Sequence, residues 1–75
     1  MDETPALMFQ RTLRISEDCA RTFQTAGYET LEEVAYVPIE ELKQMKEVPE
    51  WVLEDIRRRA REYLLRDALR HERGD

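Results

Sequence analysis

The chain has 75 residues, of which 39% are charged and 41% hydrophobic, with two glycines and three prolines. A domain of this size buries only about 60% of its unfolded surface, so one small domain is allowed and a large enzyme cleft is disfavoured; the composition suits a helical bundle better than a sheet or a disordered tail. The single cysteine excludes an internal disulfide framework and a Cys-rich zinc cage. Uncharged runs such as Val34 to Ile39 are too short to cross a bilayer, and no basic segment leads into an apolar one, so a cytoplasmic location is expected.

The net charge of −5 is unevenly spread. Residues 1–56 carry −8 and residues 57–75 carry +3. An acidic body repels phosphate and attracts basic surfaces, which disfavours generic nucleic-acid binding. The exception is Arg57-Arg58-Arg59-Ala60-Arg61. Interleaved with Ile56, Ala60 and Leu64, these arginines read first as the solvated side of an amphipathic helix, and in the alternative as a nucleic-acid contact formed by Arg57, Arg58, Arg59 and Arg61.

In chain order, Thr4-Pro5 predicts a helix start, because a proline at the first helical position loses no hydrogen bond; the helix runs to about Leu13. Ser16 predicts the N-cap of a second helix with Glu17 and Asp18 in its first turn. Its inward stripe is Ile15, Cys19, Phe23 and Ala26, and it ends at Gly27 as the left-handed C′ residue. Thr30-Leu31-Glu32-Glu33 predicts a capping box and a short third helix to Tyr36. Pro38 breaks the chain at Val37 and restarts it as a fourth helix with Ile39, Leu42 and Met45 inward. Pro49 starts the fifth, whose apolar face is Val52, Leu53, Ile56, Ala60, Tyr63, Leu64 and Ala68. The expectation is one domain over residues 1–75, ordered over about 5–69, with a fraying tail at 70–75.

The spacing Leu42-x-x-Met45-Lys46-Glu47-Val48-Pro49-x-x-x-Leu53-x-x-Ile56 resembles a helix-hairpin-helix element, with Val48 as the apolar plug between two helices. Phe23-x-x-Ala26-Gly27-Tyr28, followed by Leu31 and Val34, reads as a degenerate second copy. DNA-binding hairpins of this type carry glycines on both sides of the plug, so that backbone N–H groups can approach a phosphate. Here those places hold Glu47, a carboxylate, and Pro49, which has no N–H to donate. Phosphate cradling is therefore not expected at this hairpin, nor at the first, where Gly27 is followed by Glu29, Glu32 and Glu33.

Leu13-Arg14-Ile15-Ser16-Glu17-Asp18-Cys19-Ala20, Ala26-Gly27-Tyr28, Thr30-Leu31-Glu32-Glu33-Val34-Ala35-Tyr36-Val37-Pro38 and Glu40-Glu41-Leu42 together closely resemble the C-terminal acidic repeat of the bacterial transcription elongation and antitermination factor NusA. The likeness covers about Phe9 to Leu69 and is most specific over Leu31 to Leu42. Departures are Cys19, in place of a large apolar residue, and Glu47, in place of glycine; the second implies a hairpin that avoids positive φ or tolerates some strain. The resemblance implies an all-α fold of five short helices in a tandem helix-hairpin-helix domain, a SAM-like orthogonal bundle. It also implies a monomeric, non-catalytic docking module of a transcription complex. Implied partners are the C-terminal domain of the RNA polymerase α subunit or a phage antitermination protein. A further alternative is an autoinhibitory lid over the RNA-binding domains of a longer parent chain, from which this chain would be an excised fragment.

Candidate partner-binding residues are Glu29, Glu32, Glu33, Glu40, Glu41, Glu47, Glu50 and Glu54, which can meet a basic partner or simply face solvent. Trp51, outside the apolar stripe, is either a lid on the first helix or an exposed interface anchor. Tyr28 and Tyr36 are expected in the core with hydroxyls at its rim. Cys19 is expected as a buried thiol whose pKa is raised by Glu17 and Asp18. The only histidine, His71, falls in the tail, so no catalytic base is fixed. Adjacent carboxylates such as Glu32 and Glu33 diverge by about 100° on a helix and cannot form an acid–base pair. No catalytic residue, cofactor or metal site is expected.

Overall fold

The fold is described from a computed structural model covering residues 3–73. Five helices follow one another: α1 (Pro5–Leu13), α2 (Glu17–Thr25), α3 (Leu31–Tyr36), α4 (Ile39–Leu42) and α5 (Glu50–Arg73). No strand occurs among the described residues. α5, about 36 Å long at 1.5 Å per residue, packs across α3 and α1, and α1 packs against α2.

Each helix start is built from a local residue choice. At α1 the Thr4 hydroxyl accepts the Leu7 N–H at 3.2 Å, Pro5 has no donor to satisfy, and the Ala6 N–H donates to Gln24 Oε1 of α2 at 3.0 Å. The orphan donors of that first turn are thus satisfied partly from another helix. Ser16 caps α2 by accepting from the Cys19 N–H at 3.2 Å. At α3 the capping box is complete: the Glu33 N–H donates to Thr30 Oγ1, and Glu33 Oε1 accepts from the backbone N–H of both Glu29 and Thr30. Pro38 and Pro49 stand one position before α4 and α5; the Pro49 carbonyl receives the Val52 and Leu53 N–H groups, each at 3.0 Å.

The helix ends differ more from expectation. Gly27 takes φ +99°. The Tyr28 N–H reaches the Phe23 carbonyl and the Gly27 N–H the Gln24 carbonyl, each at 3.0 Å, the two bonds of a Schellman ending. Its usual apolar contact is also made, the rings of Phe23 and Tyr28 meeting edge to face with centroids 5.7 Å apart. α1 ends without glycine: Arg14 itself adopts φ 58°, ψ 44°, and its N–H returns to the Gln10 carbonyl. The second hairpin needs no left-handed residue, since Arg14 is the only non-glycine with positive φ among the described residues. Glu47 therefore fits there without backbone strain.

The core draws on every helix: Phe9 and Leu13 from α1, Ala20 and Phe23 from α2, Leu31, Val34 and Ala35 from α3, Leu42 from α4, and Leu53, Ile56 and Ala60 from α5. Met45 and Val48 fill it from the loop between α4 and α5. Full burial of a side chain such as Phe23 contributes about 1.5–3 kcal/mol. Three details depart from the expected stripes. In α2 it is Ala20 that is buried while Ala26 is exposed, which rotates the inward face toward α1. Cys19 is half-exposed at the edge of the core, and burial alone raises its pKa, with no contribution from Glu17 or Asp18. On α5 the apolar face closes at Leu64, because no other helix reaches Ala68, which is exposed. The helix itself continues to Arg73; Gly74, Asp75 and the side chain of His71 lie outside the described residues.

Candidate partner-binding surface

The acidic candidates divide into groups that the sequence does not separate. Around Lys43, at the end of α4, stand Glu50, Glu40 and Glu54. The Lys43 ammonium meets Glu50 Oε1 at 3.0 Å, and its pKa is raised first by that hydrogen bond and then by the charges of the three carboxylates. Three acids surround the one lysine, and Glu54 also shares a depression with Arg57, Arg58 and Arg61. Trp51 follows Glu50 in the first turn of α5 and is 72% exposed, the most exposed of the large apolar side chains. Of its two readings, exposure holds and the lid on α1 does not. The indole, next in sequence to Glu50, is a large apolar area left mostly open to solvent.

A second group gathers at the first hairpin. Glu33 and Glu41 face Tyr28, whose phenol is held above its usual pKa by partial burial and then by these two charges. Tyr28 is half-buried, as expected for a core edge, and lines a shallow cavity of about 480 Å³ with Gly27, Glu33, Glu41 and Gln44. Glu33 is also committed to its cap, and the Glu29 and Thr30 N–H groups hold its carboxyl below the usual range. Its first duty is therefore architectural. Glu29 contributes a backbone donor to that cap, Glu32 is exposed on α3, and Glu47 lies toward α2, sharing a depression with Arg21, Thr25 and Gln44.

Tyr36 corrects the sequence reading. It is 63% exposed rather than in the core, and the Arg61 guanidinium carbon lies 5.8 Å above its ring. The aromatic ring follows Ala35 at the end of a six-residue helix, where Val34 and Ala35 already occupy the inward positions; it faces outward and is covered by a cation instead.

The arginines of α5 serve internal ends. Arg57 Nε and Arg61 Nε both donate to the Ala35 carbonyl, at 3.2 and 2.8 Å, and Arg59 donates to the Leu13 carbonyl at 2.9 Å. These oxygens are orphan acceptors at the C-terminal ends of α3 and α1, where cations are favoured. Arg58 pairs with Asp55, which also holds Arg59 at 2.8 Å; the two guanidiniums, Arg58 foremost, keep the Asp55 carboxyl below its usual range. Arg57, Arg58, Arg59 and Arg61 are thus shared among three carbonyls, those of Ala35, Leu13 and Arg14, and one carboxylate, and do not form one free basic face.

Sequence reasoning missed a different basic set. Arg11, Arg14, Arg58, Arg59 and Arg66 line one groove with Thr12, Leu13, Glu62 and Tyr63. Arg11, Arg14 and Arg66 come from separate segments with unremarkable local context, so no linear pattern marks them.

Among the described residues no group of three or more His, Cys, Asp or Glu is placed to hold a metal ion, and no helix is long and apolar enough to cross a membrane. No protein-family model matches the chain.

Proposed function

We propose that this domain is a non-catalytic docking module whose binding face is the Trp51 patch, with Glu40, Glu50 and Glu54 around it, and that it recognises a basic surface on another protein. The single observation that carries this reading is the 72% exposure of Trp51 beside a carboxylate cluster that one lysine does not neutralise. Tryptophan is enriched among residues that dominate binding energy, and charges at the rim of such an anchor steer association and set its salt dependence. The tandem helix-hairpin-helix arrangement belongs to the same proposal. Support for it comes from Val48 at the second hairpin, buried in the same core as Leu42, Met45, Leu53 and Ile56, and from the glycine ending at the first. Together with the resemblance to NusA acidic repeats, these features favour the C-terminal domain of the RNA polymerase α subunit, or a phage antitermination protein, as partner.

The test is a titration of isotope-labelled domain with the polymerase α C-terminal domain, followed by amide chemical shifts. Shifts centred on Lys43, Glu50, Trp51 and Glu54, weakened by salt and lost in Trp51→Ala, are the expected result. A flat spectrum at millimolar partner, or shifts confined to the opposite end of α5, would overturn it.

A further inference from the structure

We propose that the arginine-lined groove between the end of α1 and the middle of α5 holds the phosphodiester backbone of a single nucleic-acid strand. The inference is independent of docking through the acidic face. Five arginines from two distant parts of the chain line it, around a volume of about 510 Å³.

The nearby carboxylates do not cancel them. Glu3 is taken by Arg11 in a two-point pair at 2.9 and 3.0 Å, Asp55 is shared by Arg58 and Arg59, and Glu62 lines the groove. Five positive groups against three negative ones leave a local excess. Among the described residues, Arg14 and Arg66 have no carboxylate partner and are free to bind. A C-terminal helix end pointing at such a groove would ordinarily repel an anion. Here Arg59 covers it, donating to the carbonyl oxygens of Leu13 at 2.9 Å and Arg14 at 3.5 Å. Arg14 also holds a left-handed backbone, φ 58°, which is uncommon for a side chain of its size.

Net charge does not decide the matter. At physiological ionic strength charges are screened over about 8 Å, so the arginines that line the groove act on a ligand there more strongly than carboxylates farther away. The lining favours nucleic acid over an acidic peptide. Only Leu13, already buried, and the half-buried Tyr63 are apolar. A peptide would find little to bury, and protein interfaces depend on apolar anchors. A phosphate backbone needs charge and donors alone, and guanidinium forks match phosphate in two-point contacts. A groove of about 510 Å³ between two helices suits one flexible strand better than a stiff duplex.

The test uses fluorescence anisotropy of a labelled short oligouridylate with the full chain. Binding is expected to weaken about eighteenfold between about 50 and 200 mM salt, as for roughly three phosphates neutralised on a single strand. Arg14→Asn combined with Arg66→Glu is expected to reduce affinity at least about tenfold; asparagine tolerates the left-handed backbone, and an unchanged urea midpoint verifies folding. Arg21→Gln combined with Lys46→Glu makes the same change in net charge away from the groove and is expected to leave affinity within about twofold. The proposal is overturned by absence of binding at low salt, by equal loss in both double variants, by tighter binding of a duplex, or by polyglutamate displacing the oligonucleotide at equal charge.

Discussion

Arg59, in the middle of α5, donates a hydrogen bond to the carbonyl oxygen of Leu13, a residue 46 positions earlier. The bond ties the end of α1 to the longest helix, and the same guanidinium is held from its other side by Asp55. Replacing Arg59 with methionine keeps most of the apolar stem but leaves the Leu13 carbonyl without its charged donor. A loss of about 1–2 kcal/mol in urea unfolding is expected, with the slope unchanged. Glutamine at the same site should recover only part of it, since it lacks the charge.

Gly27 offers a cleaner separation of causes. A Cβ added there meets no atom within 4 Å, so its substitution creates no clash, yet its φ of +99° is one that side chains rarely adopt. Gly27→Ala should therefore cost about 1–2 kcal/mol through the backbone alone, and Gly27→Asn should cost less. Equal unfolding midpoints for wild type and Gly27→Ala would show that the Schellman ending is not what fixes the turn.

The capping carboxylate of Glu33 gives stability a pH dependence with a definite sign. Its folded pKa lies below the ordinary value of 4.5 because the Glu29 and Thr30 N–H groups favour the anion. Its contribution is present above pH 4.5 and is lost as pH falls through the lower, folded value. Glu33→Gln should therefore reduce stability at neutral pH and flatten the decline below pH 4.5 in thermal melts. Glu3 and Asp55, also held low by arginines, maintain part of that decline.

Trp51→Ala should change unfolding stability by no more than about 0.5 kcal/mol, as for exposed sites without structural partners. Its fluorescence should report a solvent-exposed indole in the wild type and shift to the blue when a protein partner covers it. A strongly destabilised Trp51→Ala would mean that the ring packs on the domain rather than waiting for a partner.

The sequence was most legible where a decision is local. Thr4, Ser16, Thr30 and Gly27 each start or stop a helix through bonds within five residues, and the residue types that can do so are few. It was less legible where the decision depends on which neighbour arrives. Ala20 and Ala26 are equally plausible inward residues until α1 is placed. Tyr36 looks like a core aromatic until Val34 and Ala35 have filled the space. The arginines of α5 looked solvated because the oxygens they hold, on Leu13 and Ala35, lie 22 to 46 positions away. The acidic residues of the proposed docking face could be read from composition and spacing, and their division around Lys43 and Tyr28 could not. The arginine groove was illegible for the same reason as the bonds of Arg59, since its members meet only through tertiary packing.

Because α5 supplies the donors that close both α1 and α3, the order of synthesis matters. A nascent polypeptide leaves the ribosome from its N-terminal end, so the first four helices emerge with two carbonyl ends still open and without the apolar cover that α5 gives them. The helix that follows them in translation is the one that makes them stay.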